Sequence, residues 1–223
     1  MHRFDDRADA GRQLGVALDS LRDDSPVVLG LPRGGVPVAF AVAQKLAAPL
    51  DVIVVRKLGV PWWPELAMGA IGENGVRVVD AALMAREGVS EAELESVERR
   101  ERAVLSSYIE HFCGGRDRVA VRGRVAVVVD DGMATGLTAR AACQVVRARG
   151  AARVIMAVPV APAKTAEQFD AADSVVCLAA PSSFGAVGEY FRDFSATTDD
   201  QVIALLDSAR LAGMRGWHES QRH

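Results

Sequence analysis

The 223-residue sequence has no surplus of basic charge: 26 lysines and arginines stand against 29 acids, a formal net charge of −3. A nucleic-acid partner, which calls for a basic footprint, is therefore not expected. There is no run of about 18 apolar residues, so no membrane span is expected. The opening stretch MHRFDDRADAGR is charged and lacks the apolar centre of a signal peptide. Cysteine is scarce. Cys113, Cys143 and Cys177 are odd in number and far apart, which argues against a disulfide framework or a thiolate metal site and for reduced, structural thiols in a cytoplasmic protein. His2, His111, His218 and His223 are not spaced as ligands. No internal repeat or low-complexity linker divides the chain. A single domain over residues 1–223 is expected, long enough to bury a sizeable core.

What the chain does have is an alternation of apolar strands and helices. Residues 8–22 read as an opening helix with Leu14, Leu18 and Leu21 on one face, 26–31 as a strand, 36–46 as a buried apolar helix and 51–55 as a second strand. Residues 69–79 read as a hairpin, because Asn74-Gly75 favours tight turns. Ser90 and Glu93 have capping-box spacing ahead of a long helix that becomes amphipathic through Val104, Leu105, Tyr108 and Phe112. Further strands are expected at 125–129, 154–160 and 174–179, with helices at 137–149 and 199–211. Several βα units with nearly continuous apolar strands imply a three-layer α/β/α fold around a central, mainly parallel sheet. The helical segment near 80–112 is an elaboration of that core, and its charged stretch could also serve as a dimer surface. Ligands of such sheets bind beyond the carboxyl ends of the strands, where the loops after 26–31, 51–55, 125–129 and 154–160 should converge.

The most informative of these loops lies within VAVVVDDGMATGLT, residues 125–138. A buried strand ends in Asp130 and Asp131, a turn of small residues follows, and Thr138 starts a helix. The first turn of a helix leaves backbone N–H groups unpaired and carries roughly half a positive charge. Small residues let a phosphate approach those amides closely, and Thr135 and Thr138 can add hydroxyl donors. The two acids can accept hydrogen bonds from vicinal sugar hydroxyls or hold waters around Mg²⁺. A sugar phosphate is the expected ligand.

The stretch VVVDDGMATGLT resembles the phosphoribosyl pyrophosphate (PRPP) motif of the type I phosphoribosyltransferases, and matches that pattern of apolar residues, two acids and T-G-x-T at every required position. The resemblance implies PRPP binding by Asp130, Asp131, Gly132, Met133, Ala134, Thr135, Gly136, Leu137 and Thr138, with Asp130 and Asp131 also catalytic and metal-holding, and Mg²⁺ as cofactor. It implies that the loop Leu31-Pro32-Arg33-Gly34-Gly35 binds pyrophosphate, with a non-proline cis peptide of the kind family members often hold there. Arg33, Gly34, Gly35, Arg56 and Lys57 are the expected pyrophosphate ligands. Arg56 and Lys57 are placed ahead of a mobile lid over 58–68, with Gly59 as hinge, and are assigned a catalytic part as well. Trp62 and Trp63, between two prolines, could close over the base or pack against a partner subunit, and packing is the expected role.

A small C-terminal hood over 181–200 would receive the acceptor, with Phe184 and Tyr190 as stacking candidates, while Phe191 and Phe194 read as core. One position departs from part of the family: some purine-specific members carry an acid where this chain has Ala134, as the adenine-specific branch also does, so no general base is named. The implied activity is transfer of a phosphoribosyl group to a nitrogenous acceptor, PRPP and a small molecule being the partners and a homodimer a common assembly. The alternatives are a PRPP- or nucleotide-sensing module without turnover, and a hydrolase that uses water as acceptor.

Overall fold

The computed structural model describes residues 3–220, with only the helical backbone described beyond Ala212. Five strands form a parallel sheet in the order β2-β1-β6-β7-β8: β1 (Val27–Gly30), β2 (Leu50–Val52), β6 (Val125–Val129), β7 (Arg153–Val160) and β8 (Ser174–Ala179). Period-two alternation sends their side chains to two buried layers. Val28, Val127, Val129, Ile155 and Ala157 face the core shared with α1 (Arg7–Ala17), α2 (Gly35–Leu46), α4 (Glu91–Cys113) and α7 (Asp199–Ser220). Val27, Leu29, Ala126, Val128, Val154 and Met156 face the core shared with α5 (Leu137–Ala148). Both faces are covered, hence the uninterrupted apolar strands.

The opening helix is shorter than the leucine spacing suggested. It ends at Ala17, and a 3-10 helix covers Asp19–Asp24. Three-residue turns stack positions i and i+3, so Leu18 and Leu21 still reach the core together.

The region after β2 differs most from expectation. The strand expected over 51–55 stops at Val52, because β1, only four residues long, gives it no further partner. The chain crosses instead into a separate antiparallel sheet of β3 (Val55–Val60), β4 (Trp63–Gly72) and β5 (Arg77–Val79), in the order β3-β4-β5. The segment 58–68 is thus a hairpin, not an irregular lid. Gly59 sits at a register irregularity, where a Cβ would strike the carbonyl of Pro64; it serves close backbone approach, not hinging. Trp62 and Trp63 stand at the tip, 55% and 57% exposed, so they do not pack within the chain.

The Asn74-Gly75 turn forms as expected, with φ of +58° and +77°. Helices α3 (Ala81–Glu87) and α4 make up the elaboration, and α4 opens with the full Ser90–Glu93 capping box. A short α6 (Ala163–Glu167) follows β7. The N-terminal segment also joins the hood: Phe4 bridges to Phe191, and its N–H donates to the Tyr190 carbonyl at 2.9 Å.

Candidate active site

All five strands of the parallel sheet run the same way, so the loops after β1, β6 and β7 meet at one edge. After β6, Asp130 and Asp131 leave the sheet. The Asp131 N–H donates to Asp130 Oδ1 at 2.9 Å. A third group stands with them: Arg7, the first residue of α1, whose Nε donates to Asp131 Oδ2 at 2.8 Å. Its Nη1 donates to the Ser195 carbonyl at 2.6 Å, and its guanidinium carbon lies 3.9 Å from the centre of the Phe194 ring. Arg7 and Asp131 side chains are only 12% and 17% exposed. Burial and the neighbouring Asp131 push Asp130 well above the ordinary aspartate range. Burial also raises Asp131, against the pull of Arg7.

The turn beyond the acids is tightly fitted. Gly132 leaves no room for a side chain, since a Cβ would lie 2.5 Å from Val187. The Met133 N–H donates to the Val160 carbonyl at 2.9 Å, and the Met133 side chain is buried. Ala134 and Thr135 are exposed, and Thr165 Oγ1 donates to the Ala134 carbonyl at 3.1 Å. Gly136, at φ +79°, turns the chain into α5 in the left-handed region that glycine tolerates. Leu137 and Thr138 open α5, and no side chain caps it. Its first amides, the positive end of the helix dipole, are left without a side-chain acceptor.

The β1 loop presses against this turn. The Leu31 N–H donates to the Val129 carbonyl at 2.9 Å, and the Gly35 N–H to the Leu31 carbonyl at 3.0 Å. The Pro32–Arg33 peptide is cis. A Cβ on Gly34 would collide with Asp131 Oδ2, and one on Gly35 would lie 2.8 Å from the Val129 carbonyl oxygen. The paired glycines thus let two loops meet at the level of the acids. Helix α2 likewise starts without a side-chain cap.

The expected cations are distributed differently from the sequence reading. Arg33 donates from Nε to Asp199 Oδ1 at 2.6 Å and from Nη2 to the Tyr108 hydroxyl at 3.1 Å. Arg56 and Lys57 do not end a strand of the parallel sheet; they lie within β3, where neighbours point to opposite faces. Arg56 donates from Nε and Nη2 to Glu101 Oε2 at 3.1 and 2.9 Å. Lys57 pairs along the hairpin with Glu65, Nζ to Oε2 3.5 Å. Arg33 and Arg56 are brought to one ring, Tyr108; Lys57 is not part of that group.

In the hood, Phe184 and Tyr190 stack on each other, centres 5.7 Å apart and nearly parallel. Tyr190 is 2% exposed, and its hydroxyl donates to the Ser183 carbonyl. One face of each ring is therefore already covered, and Phe184 is the more accessible of the two. Phe191 is core, as expected, whereas Phe194 lies at the surface beneath Arg7. Arg7, Glu101, Tyr108 and Asp199 carry no local sequence signal as site residues: Tyr108 looks like part of an apolar helix stripe, and Arg7 like one charge among many. Burial pushes the thiols up, Cys113 to about 11 and Cys143 to about 12, which suits structural cysteines rather than nucleophiles. His2 and His223 lie outside the described residues.

This is the class of open parallel α/β sheets whose polar loops gather beyond the strand ends. The chain belongs to the phosphoribosyl transferase domain family, whose model matches residues 9–192. It is 56% identical over 210 residues to proteins named as candidate phosphoribosyl transferases from two Mycobacterium tuberculosis strains, covering 94% of this chain and 47% of each relative. The chain thus spans about half the length of these curated relatives. The crystal structure of TT1426 from Thermus thermophilus is 45% identical, covers 92% of this chain and 97% of its own, and superposes with a TM-score of 0.77. Arg7, Phe194, Ser195 and Asp199 fall outside the residues matched by the family model.

Proposed function

We propose that the chain moves the phosphoribosyl group of PRPP to a nitrogenous acceptor, a nucleobase in the simplest case, and releases pyrophosphate. The observation that carries this reading is the apposition of the Gly34–Gly35 loop to the Asp130–Asp131 pair, with the uncapped start of α5 next along the chain. Anion-accepting amides, acids suited to hydroxyl groups and the Arg33 loop lie side by side, the order of groups along a pyrophosphorylated, phosphorylated ribose. The amides of 134–138, with Thr135 and Thr138, hold the 5′-phosphate, which does not react; the Met133 N–H is already taken by the Val160 carbonyl. Remote binding of this kind orients the reacting carbon. Asp130 and Asp131 hold the ribose hydroxyls and favour positive charge developing on the ring. The acceptor nitrogen attacks C1 as the C1–O bond to pyrophosphate breaks, and Arg33 and Arg56 offset the departing charge, with Lys57 joining if the hairpin rearranges.

Mg²⁺ fits the donor set only in part-shared fashion. Among the described residues no three potential ligand side chains cluster, but two adjacent carboxylates suit an ion that keeps waters and takes substrate oxygens. When bound, Mg²⁺ would supply further charge neutralisation at the leaving group. The acceptor lies toward the hood, with Phe184 its most accessible aromatic. Among the described residues no helix is long and apolar enough to cross a membrane. A cytoplasmic location, a single domain over 1–223 and a homodimer complete the reading.

The test is pyrophosphate release from Mg²⁺ and PRPP, screened across nucleobases. Release that requires a base supports the transferase. Release without one points to hydrolysis, and binding without release to a sensor. The Asp130→Asn, Asp131→Asn double variant should lose PRPP affinity, and unchanged affinity overturns the site assignment.

A further inference from the structure

Arg33 and Arg56 come from different sheets, one from the loop after β1 and one from β3, yet both lie against a single side chain of the helical elaboration. The guanidinium carbon of Arg33 is 5.8 Å from the centre of the Tyr108 ring, and that of Arg56 is 5.2 Å away. Both distances are within the range of a cation over an aromatic face. The Tyr108 hydroxyl also accepts from Arg33 Nη2 at 3.1 Å.

The ring is itself held. Tyr108 meets Phe112 edge-on with centres 5.6 Å apart, and Phe112 is fully buried. Glu101, two helical turns before Tyr108, takes both Arg56 donors on one oxygen. Asp199 at the start of α7 takes Arg33 Nε. Two like charges against one ring repel, and these two carboxylates balance them. Without the ring, each long arginine would be tethered only by its own carboxylate, and its rotamer freedom would have to be lost when an anion bound.

We propose that Tyr108 is a positioning residue that couples Arg33 and Arg56 into one pyrophosphate-binding unit. The inference rests on the reading of these arginines as pyrophosphate ligands. It gives the α4 elaboration a part in recognition: α4 carries the bracket that makes two separately anchored cations act together. The phenol ring supplies the shared surface, its hydroxyl fixes the Arg33 fork, and Glu101 fixes the Arg56 fork.

The test is calorimetric titration of the whole chain with inorganic pyrophosphate in the presence of Mg²⁺, with ribose 5-phosphate as a second probe for the 132–138 turn. Tyr108→Phe keeps the ring and loses the hydroxyl, and should weaken pyrophosphate binding about fivefold. Tyr108→Leu loses both and should weaken it by more than about tenfold. Ribose 5-phosphate affinity should stay at the wild-type value in both variants. In a double-mutant cycle, Arg33→Met and Arg56→Met should be non-additive with Tyr108 present and additive in the Tyr108→Leu background. If the arginine variants lose pyrophosphate affinity while Tyr108→Leu binds as the wild type does, the coupling is wrong and the pyrophosphate site stands. Equal loss of both probes in Tyr108→Leu marks a general structural role and also overturns it. If the arginine variants bind pyrophosphate unchanged, the underlying assignment falls and the inference with it.

Discussion

Two adjacent carboxylates in a poorly hydrated turn repel each other, and Arg7 bonds only one of them. Burial, then Asp131, holds the Asp130 pKa well above its ordinary range, so the folded chain keeps a proton there more tightly than the unfolded chain does. The stability this confers is present at low pH and is lost as pH rises from the unfolded aspartate value, about 3.9, through the folded one. Asp130→Asn should therefore melt at a higher temperature than the wild type at about pH 8, with the gap closing toward about pH 4. Thermal melts across that interval check it, and a variant that melts lower at the alkaline end contradicts it. The acids are legible in the sequence because strand, acids, small turn and helix start are all contiguous. Arg7 is not, because its partners Asp131 and Ser195 are more than a hundred residues away and nothing in the local pattern marks it out.

Among the elements, α4 and β3 show why some of the sequence is readable and some is not. The start of α4 is legible because a capping box is local chemistry: the Ser90 N–H donates to Glu93 Oε2 at 2.8 Å, and the Glu93 N–H to Ser90 Oγ at 3.3 Å. The Ser90 hydroxyl, which donates to Glu93 Oε2 at 2.6 Å, and then the Ser90 N–H hold the Glu93 carboxyl below its usual range. Ser90→Ala should cost about 1 kcal/mol in denaturant unfolding while leaving substrate affinity unchanged, since Ser90 lies at the far end of α4 from Tyr108. The β3–β4 hairpin escapes the sequence because prolines and tryptophans look like a loop. What makes the segment a strand is its pairing with β4, Arg56 opposite Ile71 and Lys57 opposite Ala70, and no local pattern reports a pairing partner. That pairing also separates the two adjacent cations onto opposite faces, so a single dipeptide cannot present both to one ligand without rearrangement.

Across the whole molecule, the two sheets are joined by a buried ionic junction. Arg118 donates from Nε to Asp51 Oδ2 at 2.9 Å, from Nη1 to Glu73 Oε2 at 3.1 Å and from Nη2 to the Val52 carbonyl at 2.8 Å. Glu73 in turn accepts from the Val54 N–H at 2.9 Å, where the chain passes from one sheet to the other. Asp51 and Glu73 are both buried, and their attraction outweighs the burial that alone would lower the Arg118 pKa. Removing one partner of such a network leaves uncompensated buried charge. Arg118→Met should cost about 3–5 kcal/mol in equilibrium unfolding; a loss under about 1 kcal/mol would mean the junction is not held by charge. The parallel sheet and its alternation are legible from composition and periodicity. Of the second sheet, the 69–79 hairpin is legible from Asn74-Gly75, whereas the junction that ties it to the first is not, because Glu73 and Arg118 meet across 45 residues.

The bridge between Phe4 and Phe191 has a bearing on how the molecule is made. The cation that answers Asp131 leaves the ribosome 188 residues ahead of the Ser195 carbonyl on which it rests, with the Phe194 ring beside it. A nascent chain can build the parallel sheet through Ala179 while this corner stays open, and the guanidinium finds its seat only when Ser195 arrives. The salt bridge to Asp131 is therefore steadied only after the strands of the parallel sheet have been made, so a partly translated chain carries that sheet before it carries the seat of Arg7.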